Sequence, residues 1–155
     1  MPRIRKVEFP KEIPTELSQL VGEIVIAFGQ LERILITAHA RICHGQDILE
    51  GLKINKKKSD PLGPLIRQLQ KDFKLYHFEW FNPKNLREFA RKRNGLMHDA
   101  LIKSDGHLEW LTNSTKREHR PVDCQELIEL RDDVCGVINQ IEEGSEKAKN
   151  QISKV

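Results

Sequence analysis

From Thr15 to Gly45 the chain reads TELSQLVGEIVIAFGQLERILITAHARICHG. Leu17, Leu20, Val21, Ile24, Phe28, Leu31, Leu35, Ala38 and Ile42 recur at steps of three and four, the spacing of one buried helical stripe. Pro14 and Thr15 open the pattern, with Thr15 as N-cap or first-turn residue, and Gly45 closes it. A helix of this length makes roughly eight turns and must span its domain as a central element.

Working outward, Gln46 to Asp60 reads as a connection. Ile48 to Leu52 adds a turn and Lys53 to Asp60 forms a charged loop. A second helix follows Pro61 through Leu65, Leu69 and Phe73 to about Leu75. The aromatic cluster Phe73, Tyr76, Phe78, Trp80 and Phe81 comes next, and Asn82-Pro83 starts a third helix. The period then changes. Ala100 to Ser104 and His107 to Thr112 flank Asp105-Gly106, a two-residue hairpin signal. Pro121 and Asp123 precede a last helix with the stripe Leu127, Leu130, Val134, Val137, Ile138 and Ile141, fraying into a charged tail after Gly144. The expected fold is all-α: an antiparallel four-helix bundle with a short β-hairpin or extended excursion before the last helix. Residues 1–155 are expected to form a single helical domain, with a core of about 14–151 and an N-terminal tail of 1–13.

Composition narrows the function classes. Of 155 residues 38% are hydrophobic and 32% charged, a balance that suits helices with solvated outer faces. The net charge of +3 and pI near 8.8 permit a nucleic-acid partner without diagnosing one. No apolar run is long enough to cross a bilayer, and Met1 to Lys11 lacks a signal-peptide core. Cys43, Cys124 and Cys135 are an odd set at ordinary spacings, so a cytoplasmic location is expected and a disulfide framework is not. There is no Gly-rich phosphate loop, nucleophilic serine elbow, paired-cysteine zinc signature or helix-turn-helix spacing. No metal or cofactor is expected. Cys43-His44 is the only Cys/His neighbour pair, and nothing completes a metal site around it.

The chemistry-bearing stretch is Arg93-Asn94-Gly95-Leu96-Met97-His98-Asp99 in the third helix. Arginine offers a permanent planar cation for phosphate oxygens, and histidine an acid/base group near neutral pH. The spacing alone is not distinctive, because Arg33 to His39 and Arg91 to His98 also satisfy a loose Arg-to-His interval. Context separates the Arg93 version. Leu86, Phe89, Ala90, Leu96, Met97 and Ala100 form one helical stripe with Arg93 in its middle, where a buried cation requires an anion. Arg87, Arg91, Asn94 and His98 form a cationic, hydrogen-bonding stripe beside it.

Arg93-Asn94 followed by His98, late in the third helix of a four-helix unit, resembles the signature of the HEPN superfamily. Phe28-Gly29-Gln30-Leu31-Glu32 resembles the small-residue, Leu-Glu segment of that family's opening helix, and the resemblance covers about Glu16 to Gln151. It implies a metal-independent endoribonuclease that acts as a homodimer, the motif helices of two subunits forming one cleft. Toxin–antitoxin, abortive-infection and CRISPR-linked defence are the usual settings, with RNA as substrate and a cognate antitoxin as possible partner. His98 would be the acid/base group that leaves a cyclic phosphate end, Arg93 the phosphate binder, and Asn94 an orienting group. Glu32 would be a helix-one partner to Arg93.

Residues five apart on a helix diverge by about 140°, so Arg93 and His98 of one subunit do not share a face. A dimer removes the difficulty. Otherwise Arg91, which shares a face with Asn94 and His98, holds the phosphate. Blander readings stand beside these. His98 can interact with helix-terminal carbonyls or pair with Asp99, and Arg93 can form a structural salt bridge to Glu32. Lys56, Lys57 and Lys58 read as a solvated loop or, with Arg87, as RNA-backbone contacts, and Lys116 to Arg120 shares that ambiguity. The aromatics read as a core plug before a base-stacking platform. A non-catalytic module of the same family, binding RNA, a nucleotide or a partner protein, is the alternative to the enzyme.

Overall fold

The computed structural model describes residues 6–45, 62–112 and 118–153. In chain order these form β1 (Val7–Glu8), α1 (Thr15–His44), α2 (Leu62–Asp72), α3 (Pro83–His98), β2 (Ala100–Ser104), β3 (His107–Leu111), β4 (His119–Pro121) and α4 (Cys124–Ser153).

The apolar stripe of α1 is buried along its length, from Leu17 through Ile24, Leu31 and Leu35 to Ile42. It ends where Gly45 turns left-handed at φ 62°, its N–H bonded to the Ala40 carbonyl. Pro14, not Thr15, occupies the N-cap. Burial of each such leucine or isoleucine contributes about 1.5–3 kcal/mol, so this stripe is the main source of the core's stability. Leu130, Val134 and Ile141 of α4, Leu65, Ile66 and Leu69 of α2, and Leu86 and Phe89 of α3 close around it.

The all-α antiparallel four-helix bundle is corrected in two respects. First, a four-stranded antiparallel sheet in the order β1-β2-β3-β4 stands beside the helices. The anticipated hairpin is its centre, with Asp105 and Gly106 both at positive φ (50° and 86°), as a tight turn between twisted strands requires. The flanking strands escape sequence inspection because they are short. β1 lies in the segment read as a tail, and Val7 pairs with Ser104 far along the chain. β4 lies in the segment read as a basic loop and ends on Pro121, which an edge strand tolerates.

Second, the helices are not alternately directed. Glu23 pairs with Arg131 at 2.6 Å near the starts of α1 and α4, and Arg41 pairs with Glu142 at 3.0 Å near their ends. These two long helices therefore run parallel. Leu62 and Phe28 line one cavity while Asp72 meets His39, so α2 runs the same way, and only α3 returns. The chain must leave the end of α3 and re-enter at the start of α4, and β2 to β4 cover that step. Helix α4 also continues to Ser153 instead of fraying at Gly144. A Cβ at Gly144 would overlap the Trp80 ring, so this glycine is a seat for Trp80 within the helix.

Candidate functional site

Asn82 caps α3, its Oδ1 accepting the Asn85 N–H at 3.1 Å, and Pro83 occupies the first turn. Leu86, Phe89 and Ala90 anchor the first half of the helix in the core. The last turns emerge from it and carry the candidate groups.

Arg93 is half-buried. It lines a cavity of about 230 Å3 between α1 and α3, with Ile24, Phe28, Gly29, Glu32 and Leu62 among its neighbours, and its Nη1 donates to Asn94 Oδ1 at 3.3 Å. Arg93 and Glu32 both line this cavity. His98 is the last residue of α3, is exposed, and forms no hydrogen bond or ion pair among the described residues. Asp99 is the C-cap, its N–H bonded to the Gly95 carbonyl at 2.8 Å and its nearly buried carboxylate facing Arg120 of β4 at 3.5 Å.

The rival cations are engaged elsewhere. Arg91 is exposed and paired with Glu88 one turn back, its Nε donating at 3.1 Å. That hydrogen bond holds the Glu88 carboxyl below its usual range and raises Arg91. Arg91 also lines a groove of about 490 Å3 between α3, the sheet and α4, on the other side of the helix from Arg93. Arg87 donates to Gln70 of α2. Lys56, Lys57, Lys58, Lys116 and Arg117 lie outside the described residues. The structure thus places Arg93 and Glu32 at one cavity, with Asn94 reached by the Arg93 side chain. Arg87, Arg91, Asn94 and His98 follow its outward stripe, and Arg93 and His98 do not converge within one chain.

Sequence inspection missed exposed apolar side chains near Arg93: Val25 and Met97, which line its cavity, are 44% and 48% exposed, and Ile26, next to Val25 on α1, is 63% exposed. The signal was present, because the five consecutive apolar residues Ile24 to Phe28 cannot all face one core on a helix. His39, passed over in favour of the Arg93 version of the interval, has a polar partner. It is buried, and its Nε2 meets Asp72 Oδ2 at 2.8 Å. Burial pushes the Asp72 carboxyl up, but hydrogen bonds from Gln68 and His39 outweigh it and hold the group below the usual carboxylate range. Burial, with Asp72 nearby, raises the Cys43 thiol, the opposite of an activated nucleophile.

Among the described residues no three His, Cys, Asp or Glu side chains are grouped to hold a metal ion, and no helix is long and apolar enough to cross a membrane. Compared with family models, with curated proteins and with solved structures, the chain matches none.

Proposed function

We propose that the protein is a metal-independent endoribonuclease of toxin or defence type, acting in the cytoplasm as a homodimer. The observation that carries this reading is the state of His98. It is an exposed acid/base side chain at the end of α3, one turn beyond Asn94, with no hydrogen bond or ion pair among the described residues. A histidine kept for structure would be tied to a carboxylate or a carbonyl, as His39 is.

A second copy supplies the convergence that one helix lacks. Val25 and Met97 line the Arg93 cavity and are exposed, which supports a self-complementary face there, and in a homodimer packed on that face the Arg93 of one copy would approach the His98 of the other. In the reaction, neutral His98 takes the proton of the RNA 2′-hydroxyl as that oxygen attacks the adjacent phosphorus. The bond from phosphorus to the 5′-oxygen breaks, and the 5′-oxygen takes a proton from the protonated His98 of the second copy. A 2′,3′-cyclic phosphate and a 5′-hydroxyl remain. Arg93 stabilises the charge on the non-bridging oxygens, and Asn94 orients the phosphate or His98. A cognate antitoxin would act by covering or modifying the His98 face.

The test is cleavage of labelled total RNA in EDTA by wild type and by His98→Ala, with end-group analysis. Cleavage that yields cyclic-phosphate ends and disappears in the variant is expected. No cleavage by folded wild-type dimer overturns the enzyme reading in favour of a binding module.

A further inference from the structure

The segment between α2 and α3 carries Tyr76, Phe78 and Trp80 at alternate positions, and their rings form a column. Tyr76 and Phe78 stack at 4.9 Å between centroids and 10° between planes, and Phe78 and Trp80 at 4.7 Å and 24°. The inner end is fixed, because Trp80 lies against the α4 backbone at Gly144. Phe73, which is 3% exposed, meets Phe78, Trp80 and Phe81 edge-on and braces the column from the core side. The outer end is open. Tyr76 is 41% exposed, and among the described residues only Phe78 stacks on it. The core-plug reading therefore fits Phe73 and Trp80 but leaves Tyr76 unexplained.

A rigid column ending in an exposed ring is a pre-formed surface for one more flat π-system. Its surroundings are chemically specific. A cavity of about 410 Å3 opens beside the column, lined by Lys74, His77 and Gln70 together with one carboxylate, Glu79. Gln70 accepts from Arg87, and Arg87 heads the stripe Arg87, Arg91, Asn94, His98 along α3. From Arg87 to His98 the helix rises about 16 Å. Cations thus lead from the ring column to the candidate acid/base group along one helix face.

We propose that Tyr76 is a stacking platform for an unpaired base of single-stranded RNA, with the adjoining backbone tracked by Lys74 and Arg87 towards His98. The inference rests on the proposed RNA substrate but not on its cleavage. Stacking is indifferent to base identity and demands an unstacked base, so the platform selects single strands over duplexes.

The experiment measures binding of a labelled 2′-O-methyl oligoribonucleotide, which lacks the attacking hydroxyl, to the full chain by fluorescence anisotropy. Tyr76→Ala is expected to raise Kd about tenfold, Tyr76→Trp to retain wild-type affinity, and a duplex of the same sequence to bind weakly and without dependence on Tyr76. Circular dichroism serves as the fold control, since Tyr76 is exposed. Equal Kd for wild type and Tyr76→Ala, or loss of self-association in Tyr76→Ala with RNA binding unchanged, overturns the proposal; the second result would mark a protein contact. Tyr76-dependent binding without cleavage of natural RNA leaves the platform standing and removes the ribonuclease. Cleavage with Tyr76-independent binding does the reverse.

Discussion

His39 and His98 both satisfy a loose Arg-to-His interval, Arg33 to His39 in α1 and Arg93 to His98 in α3, yet the fold treats them oppositely. His39 is 6% exposed, donates to Asp72 at 2.8 Å, and belongs to an end of the molecule where polar groups are tied in pairs. There Gln68 also donates to Asp72, and buried Arg41 reaches the Glu142 carbonyl, the Glu142 carboxylate and Ser145 Oγ, each at 3.0 Å. His98, at the other end of the core, is exposed and untied among the described residues. A buried polar group must be partnered or it destabilises the fold. An exposed one left without partners costs nothing and stays available to substrate. What distinguishes the two histidines is where each sits on its helix, which motif spacing does not encode.

The comparison breaks if the two histidines exchange consequences. His98→Ala is expected to lower RNA cleavage about 10²- to 10⁴-fold, the usual contribution of a general acid/base group, with the unfolding temperature unchanged. His39→Ala is expected to leave the catalytic step in place and to destabilise the fold by about 2 kcal/mol, because it empties a buried ring site and leaves the Asp72 carboxylate with Gln68 as its remaining side-chain donor. Thermal unfolding and single-turnover rates on both variants decide it. A stability loss in His98→Ala with cleavage intact would make both residues structural.

The arginines sharpen the same contrast. Arg93 lines the α1–α3 cavity, whereas Arg91 already holds Glu88. Arg93→Ala is therefore expected to cost about a hundredfold in the catalytic step, within the range for losing one transition-state donor. Arg91→Ala should cost only a few-fold, and mainly in RNA affinity at low salt. The larger kcat loss in Arg91→Ala would move the phosphate site to the outward face and make a shared cleft unnecessary.

How much of this was legible depends on how far apart the causes lie along the chain. The stripe of α1, the Asn82 cap and the Asp105-Gly106 turn are local, and each forms where its own residues require. Strands β1 and β4 are two and three residues long and gain their state from partners elsewhere, as Val7 does from Ser104. Periodicity cannot reveal that α1 and α4 run parallel, because a stripe reads the same in either direction. The candidate site was legible as residue types in a pattern, but its partnerships were not. That Glu88 takes Arg91, Arg120 takes Asp99 and Gln70 takes Arg87 are choices made by packing. Gly144 is the clearest case. It reads as a breaker in sequence, yet sits inside a continuous helix because Trp80 needs its bare backbone.

That seat yields the next test. Gly144→Ala adds a helix-favouring methyl group that would gain up to about 1 kcal/mol at an open helical site. Here the methyl overlaps the Trp80 ring, so a net loss of about 1–3 kcal/mol is expected, as for overpacking. Trp80 should also become more mobile, read as a red-shifted emission in a Trp110→Phe background. A stabilised Gly144→Ala variant would show that Trp80 does not hold the ring column against α4.

The smallest effect concerns acid. The Asp72 carboxyl lies below its usual range in the folded chain, so its contribution to stability is fully present above the unfolded value, about pH 4, and is lost as pH falls through the folded one. Asp72→Asn removes that contribution. The variant should melt a few degrees below wild type at pH 7, and the gap should narrow as both are acidified below about pH 4. The partner matters to the sign. His39 from α1 and Lys71 and Gln68 from α2 act on Asp72, so once pH has fallen through the lowered Asp72 value the carboxyl is neutral in wild type, as the amide is in the variant. A melting gap that stays constant down to pH 2 would mean that Asp72 stabilises through packing and neutral hydrogen bonds. Its ionised form would then contribute nothing, and the contrast with His98 would rest on burial alone.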